Sequence, residues 1–295
     1  MGIKNLSKLL SRVAAAAKRE TQLSDYANRR LAIDVPIYMW KFCSVTCGHP
    51  LRCFEEQILE FGRHNIQPIY VFDGAAVACK QDEIARRREV RAGTRDAMGA
   101  AQSAYRAMCD RGGSTRSYHR ELATARQKYE KLRRRVASMP SRRHYDALRD
   151  MLRDREIEAI ESGGDAECKC AELVGEGKAD CVVTDDYDAV PYLCGLAGGQ
   201  GKMLFGINRP TILEIDVGRV LELTEMTKEQ FVDVCILSGC DFCDKIQGVA
   251  CNRAFQLVKE HGSIEAILEC LDSRYTAPDP FNFEEARTQF GIPTV

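Results

Sequence analysis

Seven acidic residues stand at the ends of apolar runs or just before helical patterns: Asp34, Asp73, the pair Asp165 and Glu167, the pair Asp186 and Asp188, and Asp241. A carboxylate at the C-terminal end of a strand lies at the open edge of an α/β sheet, where such folds place their sites. Several gathered there cannot all stay ionised without cations. Within each pair the spacing of two lets both carboxylates address neighbouring positions around one ion or two. Oxygen ligands without His or Cys select Mg²⁺ or Mn²⁺ over zinc, and Mg²⁺ keeps waters and engages substrate phosphate. Two such ions ~4 Å apart activate a water, hold a scissile phosphate and stabilise the leaving oxygen, which is the chemistry of phosphodiester hydrolysis. Any one of these residues alone, Asp165 and Asp188 above all, reads as an N-cap or turn residue. Seven in order favour the metal reading.

Alternating elements must position them. A short amphipathic helix is predicted near Leu6 to Val13, a strand at Leu31 to Asp34, a helix from about Pro36 and a strand from Ile66 to Asp73, a βαβ beginning. A long basic stretch follows, with Gly112-Gly113 as its clearest interruption before Pro140, and reads as two or more inserted helices. The sheet resumes with Glu156 to Ile160, passes through Ser162-Gly163-Gly164 into a helix starting near Asp165, and returns as Asp180 to Asp186. KMLFGIN and TILEID are further β-like runs. From Thr227 the pattern is helical, with a turn CDFCDKIQGV, a helix near Asn252 to Glu260 and another capped by Ser263. The tail from Thr276 reads as irregular.

The net charge of −1 hides an asymmetry: Ile84 to Asp150 holds eighteen Lys/Arg against seven Asp/Glu, leaving −12 on the rest. A basic arm on an acidic remainder suits phosphate binding beside a metal-binding core. Most charge runs are solvated helix faces, but this one is nearly all arginine, which grips phosphate in bidentate fashion. No apolar run reaches the ~18 residues of a membrane span, and MGIKNLSKLL lacks the long apolar stretch of a signal peptide, so an intracellular protein is expected. Gly2 lacks the Ser or Thr that myristoylation wants, because position six is Leu6. Fourteen cysteines without a secretory signal read as reduced thiols of the cytosol or nucleus. Cys240 and Cys243 form one CxxC, which no second CxxC or HxxxH completes into a zinc site.

The blocks MGIKNLSKLL, LAIDVPIYMWKF, YVFDG, GDAECKCAELV, VTDDYDAV and QFVDVCILSGCDFCDKIQGV, in this order, resemble the signature blocks of flap structure-specific endonucleases, the XPG-like family of the 5′-nuclease superfamily. The resemblance implies an α/β fold with a central, mostly parallel sheet flanked by helices (a PIN-like core), an inserted basic helical arch and a C-terminal helix-two-turn-helix. By region it implies residues 1–83 as the N-terminal nuclease region, 84–155 as the arch, 156–241 as the second half of the core, 242–275 as the helix-two-turn-helix and 276–295 as a short tail. It makes Asp34, Asp73, Asp165, Glu167, Asp186, Asp188 and Asp241 the ligands of two Mg²⁺ ions, with Mn²⁺ as a substitute. Lys80 and Arg87 become the catalytic basic pair; seven apart, they share a helix face and would stabilise transition-state charge. Trp40 stands where similar enzymes stack a base on tyrosine, and its alternative is a core position. Arg86, Arg88, Arg91, Arg133, Arg134 and Arg135 become phosphate contacts of an arch expected to order on DNA, as charged segments of low hydrophobicity often do. Gly248, Arg253 and Lys259 become duplex contacts, with K⁺ held by backbone carbonyls nearby.

The chain departs from the family at several positions. Asp165 replaces a glutamate, which moves a carboxylate by ~1.5 Å. Ala250 replaces a second glycine and Cys251-Asn252 a Pro-Lys, removing backbone freedom and a basic contact. The segment between the Trp40 helix and Ile66 is short, and Cys47 stands in place of an arginine, which reduces the expected wedge and 3′-flap pocket. Clamp-driven recruitment is not expected. The expected partners are branched DNA (5′ flaps, and also gaps or junctions) and RNA flaps, since backbone contacts read little sequence; no membrane is expected, and the oligomeric state stays open. The expected setting is nuclear or cytoplasmic, at sites of DNA replication, a large DNA virus included. Rivals are a gap- or Holliday-junction-directed relative, a catalytically inactive branched-DNA-binding protein, and a PIN-like RNA nuclease.

Overall fold

Seven strands form one sheet: β1 (Lys18–Thr21), β2 (Arg30–Asp34), β3 (Gln67–Phe72), β4 (Ala159–Glu161), β5 (Cys181–Val183), β6 (Lys202–Phe205) and β7 (Ile212–Asp216). The computed structural model describes residues 3–75, 81–209 and 211–293, with backbone alone at 81–83. The strand order is β1-β7-β6-β5-β2-β3-β4, parallel from β6 to β4 and antiparallel at β6–β7 and β7–β1. Leu31, Ala32 and Ile33 of β2 and Cys181, Val182 and Val183 of β5 are all fully buried. Continuous apolar runs are what parallel strands covered on both faces require. The order reverses between β2 and β5, so the C-terminal ends of those two strands flank the crevice where such sheets bind ligands.

The helices among the described residues are α1 (Leu6–Val13), α2 (Val35–Val45), α3 (Leu51–Arg63), α4 (Gln81–Arg111), α5 (Arg116–Ala137), α6 (Arg142–Asp154), α7 (Ala166–Gly175), α8 (Ala189–Gly195), α9 (Val217–Thr224), α10 (Lys228–Ser238), α11 (Cys251–His261), α12 (Ile264–Glu269) and α13 (Phe283–Gln289). None is long and apolar enough to cross a membrane. The chain divides into two compact units, one built from the described parts of 1–38, 56–80 and 151–295, the other from 39–55 and 81–150. The first holds the sheet. In the second, α4 and α5 pair as a long hairpin that turns at Gly112, whose φ is +62°. Thr115 caps α5 by accepting the Tyr118 N–H at 3.1 Å, and the Tyr118 hydroxyl donates back to the Met108 carbonyl at 2.8 Å. Nothing in α5 is buried, as its charge density demands.

Three expectations needed revision. The strand expected at Glu156 to Ile160 starts only at Ala159, because residues up to Ile157 close α6: Glu156 is left-handed (φ +55°) and the Ile157 N–H donates to the Leu152 carbonyl at 2.9 Å. β1 was not foreseen; its KRET sequence is half exposed and pairs only with β7. The tail is not irregular, since it carries α13. Arg287 on that helix grips the buried Asp233 of α10 through Nε and Nη2, both at 2.6 Å, and also pairs with Glu265.

Candidate metal centre

The site grows from the strand ends. Asp34 closes β2 and is fully buried. Its Oδ2 accepts the Thr184 hydroxyl at 2.7 Å, and the same hydroxyl oxygen accepts the Asp186 backbone N–H at 3.1 Å. One threonine thus ties the end of β2 to the loop after β5. Burial, then the nearby carboxylates of Asp73 and Asp186, push the Asp34 carboxyl up to about 8 against the opposing bonds from Thr184 and the Ile37 N–H. Asp186 is raised too, by burial first and by Asp241 among its neighbours. The Asp188 N–H donates to Asp186 Oδ1 at 3.1 Å, and Asp188 Oδ1 accepts the Ile3 N–H at 2.7 Å, which docks the start of the chain here.

Asp73 follows β3 and accepts the N–H of Ala166, the first residue of α7, at 3.0 Å. The neighbouring turn admits no side chain at Gly74: a Cβ there would lie 1.8 Å from the Ser162 carbonyl oxygen, and the Gly74 N–H donates to the Gly164 carbonyl at 2.8 Å. Asp165 is the N-cap of α7, without a side-chain cap bond; its Oδ2 instead accepts the hydroxyl of buried Tyr192 at 3.0 Å. Burial, followed by the charges of Asp165 and Glu167, pushes that tyrosine well up. The buried Cys170 thiol, one turn along α7, is raised by burial and then by Asp34, Glu167 and Asp73 together.

The carboxylates are therefore electrostatic neighbours: Asp34 senses Asp73 and Asp186, Asp186 senses Asp241 and bonds Asp188, and Cys170 and Tyr192 feel the Asp165–Glu167 pair. Among the described residues, no three His, Cys, Asp or Glu side chains form a ready cage for one ion. An all-oxygen donor set that leaves positions to water and phosphate is how Mg²⁺ is usually held. Mutually repelling carboxylates at the sheet's switch point fit a divalent cation.

Three residues escaped the sequence reading. Thr184 sits within the VTDD block, where a hydroxyl between a strand and two acids was a usable signal. Asp185, 9% exposed, accepts the Gly206 N–H at 2.7 Å and the Tyr38 hydroxyl at 3.4 Å, fixing the loop after β5. Tyr192 lies two residues beyond the VTDDYDAV block and carried no signal of its own.

The other expected site residues are placed as follows. Lys80 lies outside the described residues. Arg86, Arg87, Arg88 and Arg91 are in α4, and Arg133, Arg134 and Arg135 are exposed in the last turns of α5. Trp40, in α2, is 37% exposed and not core, with the Arg91 guanidinium 4.7 Å from its ring centroid. Burial, then the nearby Arg87, Arg95 and Arg88, lower the Arg91 pKa. Gly248 has φ +83°, and a Cβ there would touch the Tyr275 ring at 3.2 Å. Arg253 approaches Glu260 at 3.6 Å while its buried Nε has no hydrogen-bond partner. Lys259 is paired with Glu225 at 2.9 Å.

Residues 1–94 match the family model described as the XPG N-terminal domain, and residues 156–241 the XPG I-region. Over its whole length the chain is 31% identical to flap endonuclease 1-A of Sorghum bicolor, covering 76% of that protein, and 33% identical to flap endonuclease 1 of Entamoeba histolytica, covering 77%. Among solved structures it resembles flap endonuclease-1 from Methanococcus jannaschii, with a TM-score of 0.63 at 18% identity over 94% of this chain and 82% of that one. It also resembles the Holliday junction-resolving enzyme GEN1 in complex with product DNA and Mg²⁺, with a TM-score of 0.58 at 20% identity over 100% of this chain and 65% of that one.

Proposed function

We propose that this chain, which belongs to the flap endonuclease family, cuts branched DNA beside the junction of single strand and duplex by means of the carboxylates at the β2–β5 switch point. It is a structure-specific 5′ nuclease that hydrolyses DNA phosphodiesters, work that belongs to replication, repair and recombination. The observation that carries the mechanism is the geometry at the switch point: buried Asp34 ends β2, and the Thr184 hydroxyl that it accepts also accepts the Asp186 backbone N–H, while burial and the neighbouring Asp73 and Asp186 hold the Asp34 carboxyl above its ordinary range.

Asp34, Asp73, Asp165, Glu167, Asp186, Asp188 and Asp241 would hold two Mg²⁺ ions, or Mn²⁺ in their place. When bound, such a pair supplies an activated water and the positive charge that stabilises the leaving oxygen. The chain's own part is positioning. Thr184 orients Asp34 and the Asp186 backbone together, and Tyr192 holds the shortened Asp165 by its hydroxyl. Lys80 and Arg87 would face the charge that develops on the phosphate. Trp40, exposed and backed by Arg91, offers a face for the base beside the cut.

The arginines of α4 and α5, with Arg86, Arg88, Arg91, Arg133, Arg134 and Arg135 foremost, would grip the phosphates of the 5′ strand as an arch over 84–155. Gly248, Arg253 and Lys259 would meet the duplex over 242–275, with K⁺ held there by backbone carbonyls. Lys259 must exchange Glu225 for phosphate to do so, and Arg253 must turn from Glu260, since its unpaired Nε is buried. We assign the activity to intracellular sites of DNA synthesis, with RNA flaps as secondary substrates.

The test is cleavage of a 5′-labelled flap by the protein and by Asp186→Ala, with and without Mg²⁺. Cutting beside the junction that needs Mg²⁺ and vanishes in the variant supports the reading. Tight flap binding without cleavage in Mg²⁺ or Mn²⁺ overturns it in favour of a protein that only recognises branched DNA.

A further inference from the structure

The CDFC turn between α10 and α11 is not used by the mechanism above, yet it brackets one of its carboxylates. Cys240 Sγ lies 3.9 Å from Cys243 Sγ, both residues are half-buried, and Asp241 stands between them in the chain. The backbone there is outside any helix or strand, and Gly239 precedes it with φ +98°. Phe242, by contrast, is anchored: it is 6% exposed, and its ring stands edge-on to Phe290 at 5.2 Å and to Tyr192 at 6.3 Å.

We propose that Cys240 and Cys243 are a site of reversible oxidation by hydroperoxides, closing to a disulfide that displaces Asp241. One thiolate attacks the peroxide O–O bond, giving a sulfenic acid and releasing the first water or alcohol. The second thiol then attacks that sulfur, forming the S–S bond and releasing water. Two thiols lose two protons and two electrons, and the O–O bond takes up both.

The geometry dictates the consequence. A disulfide needs sulfurs ~2.05 Å apart, so the pair must close by about 2 Å. With Phe242 fixed between two rings, the backbone of Cys240 and Asp241, hinged at Gly239, takes up the movement. The part of that closure carried by the backbone displaces the Asp241 carboxylate, and disturbing what orients a metal ligand costs ~10–100-fold in metal affinity. In a reducing compartment the pair stays as thiols, so the effect belongs to peroxide exposure. The consequence rests on the metal reading of Asp241; the disulfide does not.

The full chain would be treated with hydrogen peroxide, alkylated and mapped by mass spectrometry, and the Mn²⁺ affinity of the metal-free protein measured before, after, and after dithiothreitol. The expected result is a Cys240–Cys243 crosslinked peptide lighter by two hydrogens, Mn²⁺ binding weakened about tenfold or more, and recovery on reduction. Cys243→Ser should bind Mn²⁺ as tightly as the untreated parent, both before and after peroxide. Absence of the crosslink, an unchanged affinity when it forms, or equal loss in Cys243→Ser overturns the proposal. Failure of the reduced parent to bind Mn²⁺ would overturn the metal reading, and with it the displacement, while the peptide map still decides the oxidation step.

Discussion

Thr184→Val keeps the shape of a fully buried side chain and removes its hydroxyl. Two bonds disappear: the donation to Asp34 Oδ2 at 2.7 Å and the acceptance of the Asp186 N–H at 3.1 Å. Water has no ready access to replace either. A hydrogen bond to a charged partner contributes ~1.5–3 kcal/mol. If that bond is what aims Asp34 at a cation, the loss converts at ~1.4 kcal/mol per decade to about 10- to 150-fold in affinity. The cost generally seen when a group orienting a metal ligand is lost, ~10–100-fold, falls in the same range. The assay is Mn²⁺ titration of the metal-free variant by calorimetry, beside flap cleavage at increasing Mg²⁺. Weaker Mn²⁺ binding is expected, with cleavage partly recovered at high metal, and Thr184→Ser should behave like the parent. A Val variant with the parent's Mn²⁺ affinity would refute the assignment of Thr184 as the tie between the two strand ends.

Gly74→Ala forces a Cβ to within 1.8 Å of the Ser162 carbonyl oxygen, so urea denaturation should show a loss of roughly 1–3 kcal/mol, the cost of overpacking, with impaired cleavage. Trp40→Ala should weaken flap binding by about 5- to 150-fold in fluorescence anisotropy, the equivalent of one lost base stack, while Trp40→Phe retains most of it. Arg287→Met leaves Asp233 buried without its partner, a change that costs ~3–5 kcal/mol for a fully buried pair and lies toward the low end here because Arg287 is 14% exposed. Burial already raises the Asp233 pKa against the pull of Arg287, so removing the arginine raises it further. A group with a raised folded pKa takes up a proton on folding, which stabilises the fold as pH falls; meanwhile the parent loses, in acid, the benefit of Glu265, held down to about 2 chiefly by its bond to Arg287. The deficit of the variant should therefore be largest near pH 8 and shrink toward pH 4 in denaturant melts, and a deficit that grows in acid would contradict the assignment.

Asp34, Asp73 and Asp186, and the strands β2, β3 and β5 ahead of them, were readable because each is a local signal: a largely buried apolar run ending in or just before an acid. The ties between them are not local. Thr184 meets Asp34 across 150 positions of sequence, through the register that pairs Ile33 with Val183, and nothing in either segment alone reveals that register. Edge strand β1 escaped for the opposite reason: Lys18 to Thr21 is bonded on one side only, so its polar residues carry no apolar alternation. Helix α13 could have been found, since Phe283, Ala286 and Phe290 recur at helical spacing, but its stability depends on Arg287 reaching Asp233, which lies 54 positions away.

The same division explains why the Asp165 departure could be noticed in the sequence but not judged there. A shorter side chain at that position is a fact of composition. Whether it leaves a ligand adrift depends on its neighbours, and the Tyr192 hydroxyl 3.0 Å from its Oδ2 supplies a fixed partner. Tyr192 is itself packed against Phe290 at 5.0 Å, so the C-terminal segment that begins as an unremarkable tail also helps hold the Asp165 carboxylate, a proposed metal ligand. Tyr192→Phe, which keeps that packing and removes only the hydroxyl, should lower Mn²⁺ affinity while leaving the denaturation midpoint nearly unchanged. Equal affinity in the two proteins would mean that Asp165 is aimed by the backbone of α7 alone.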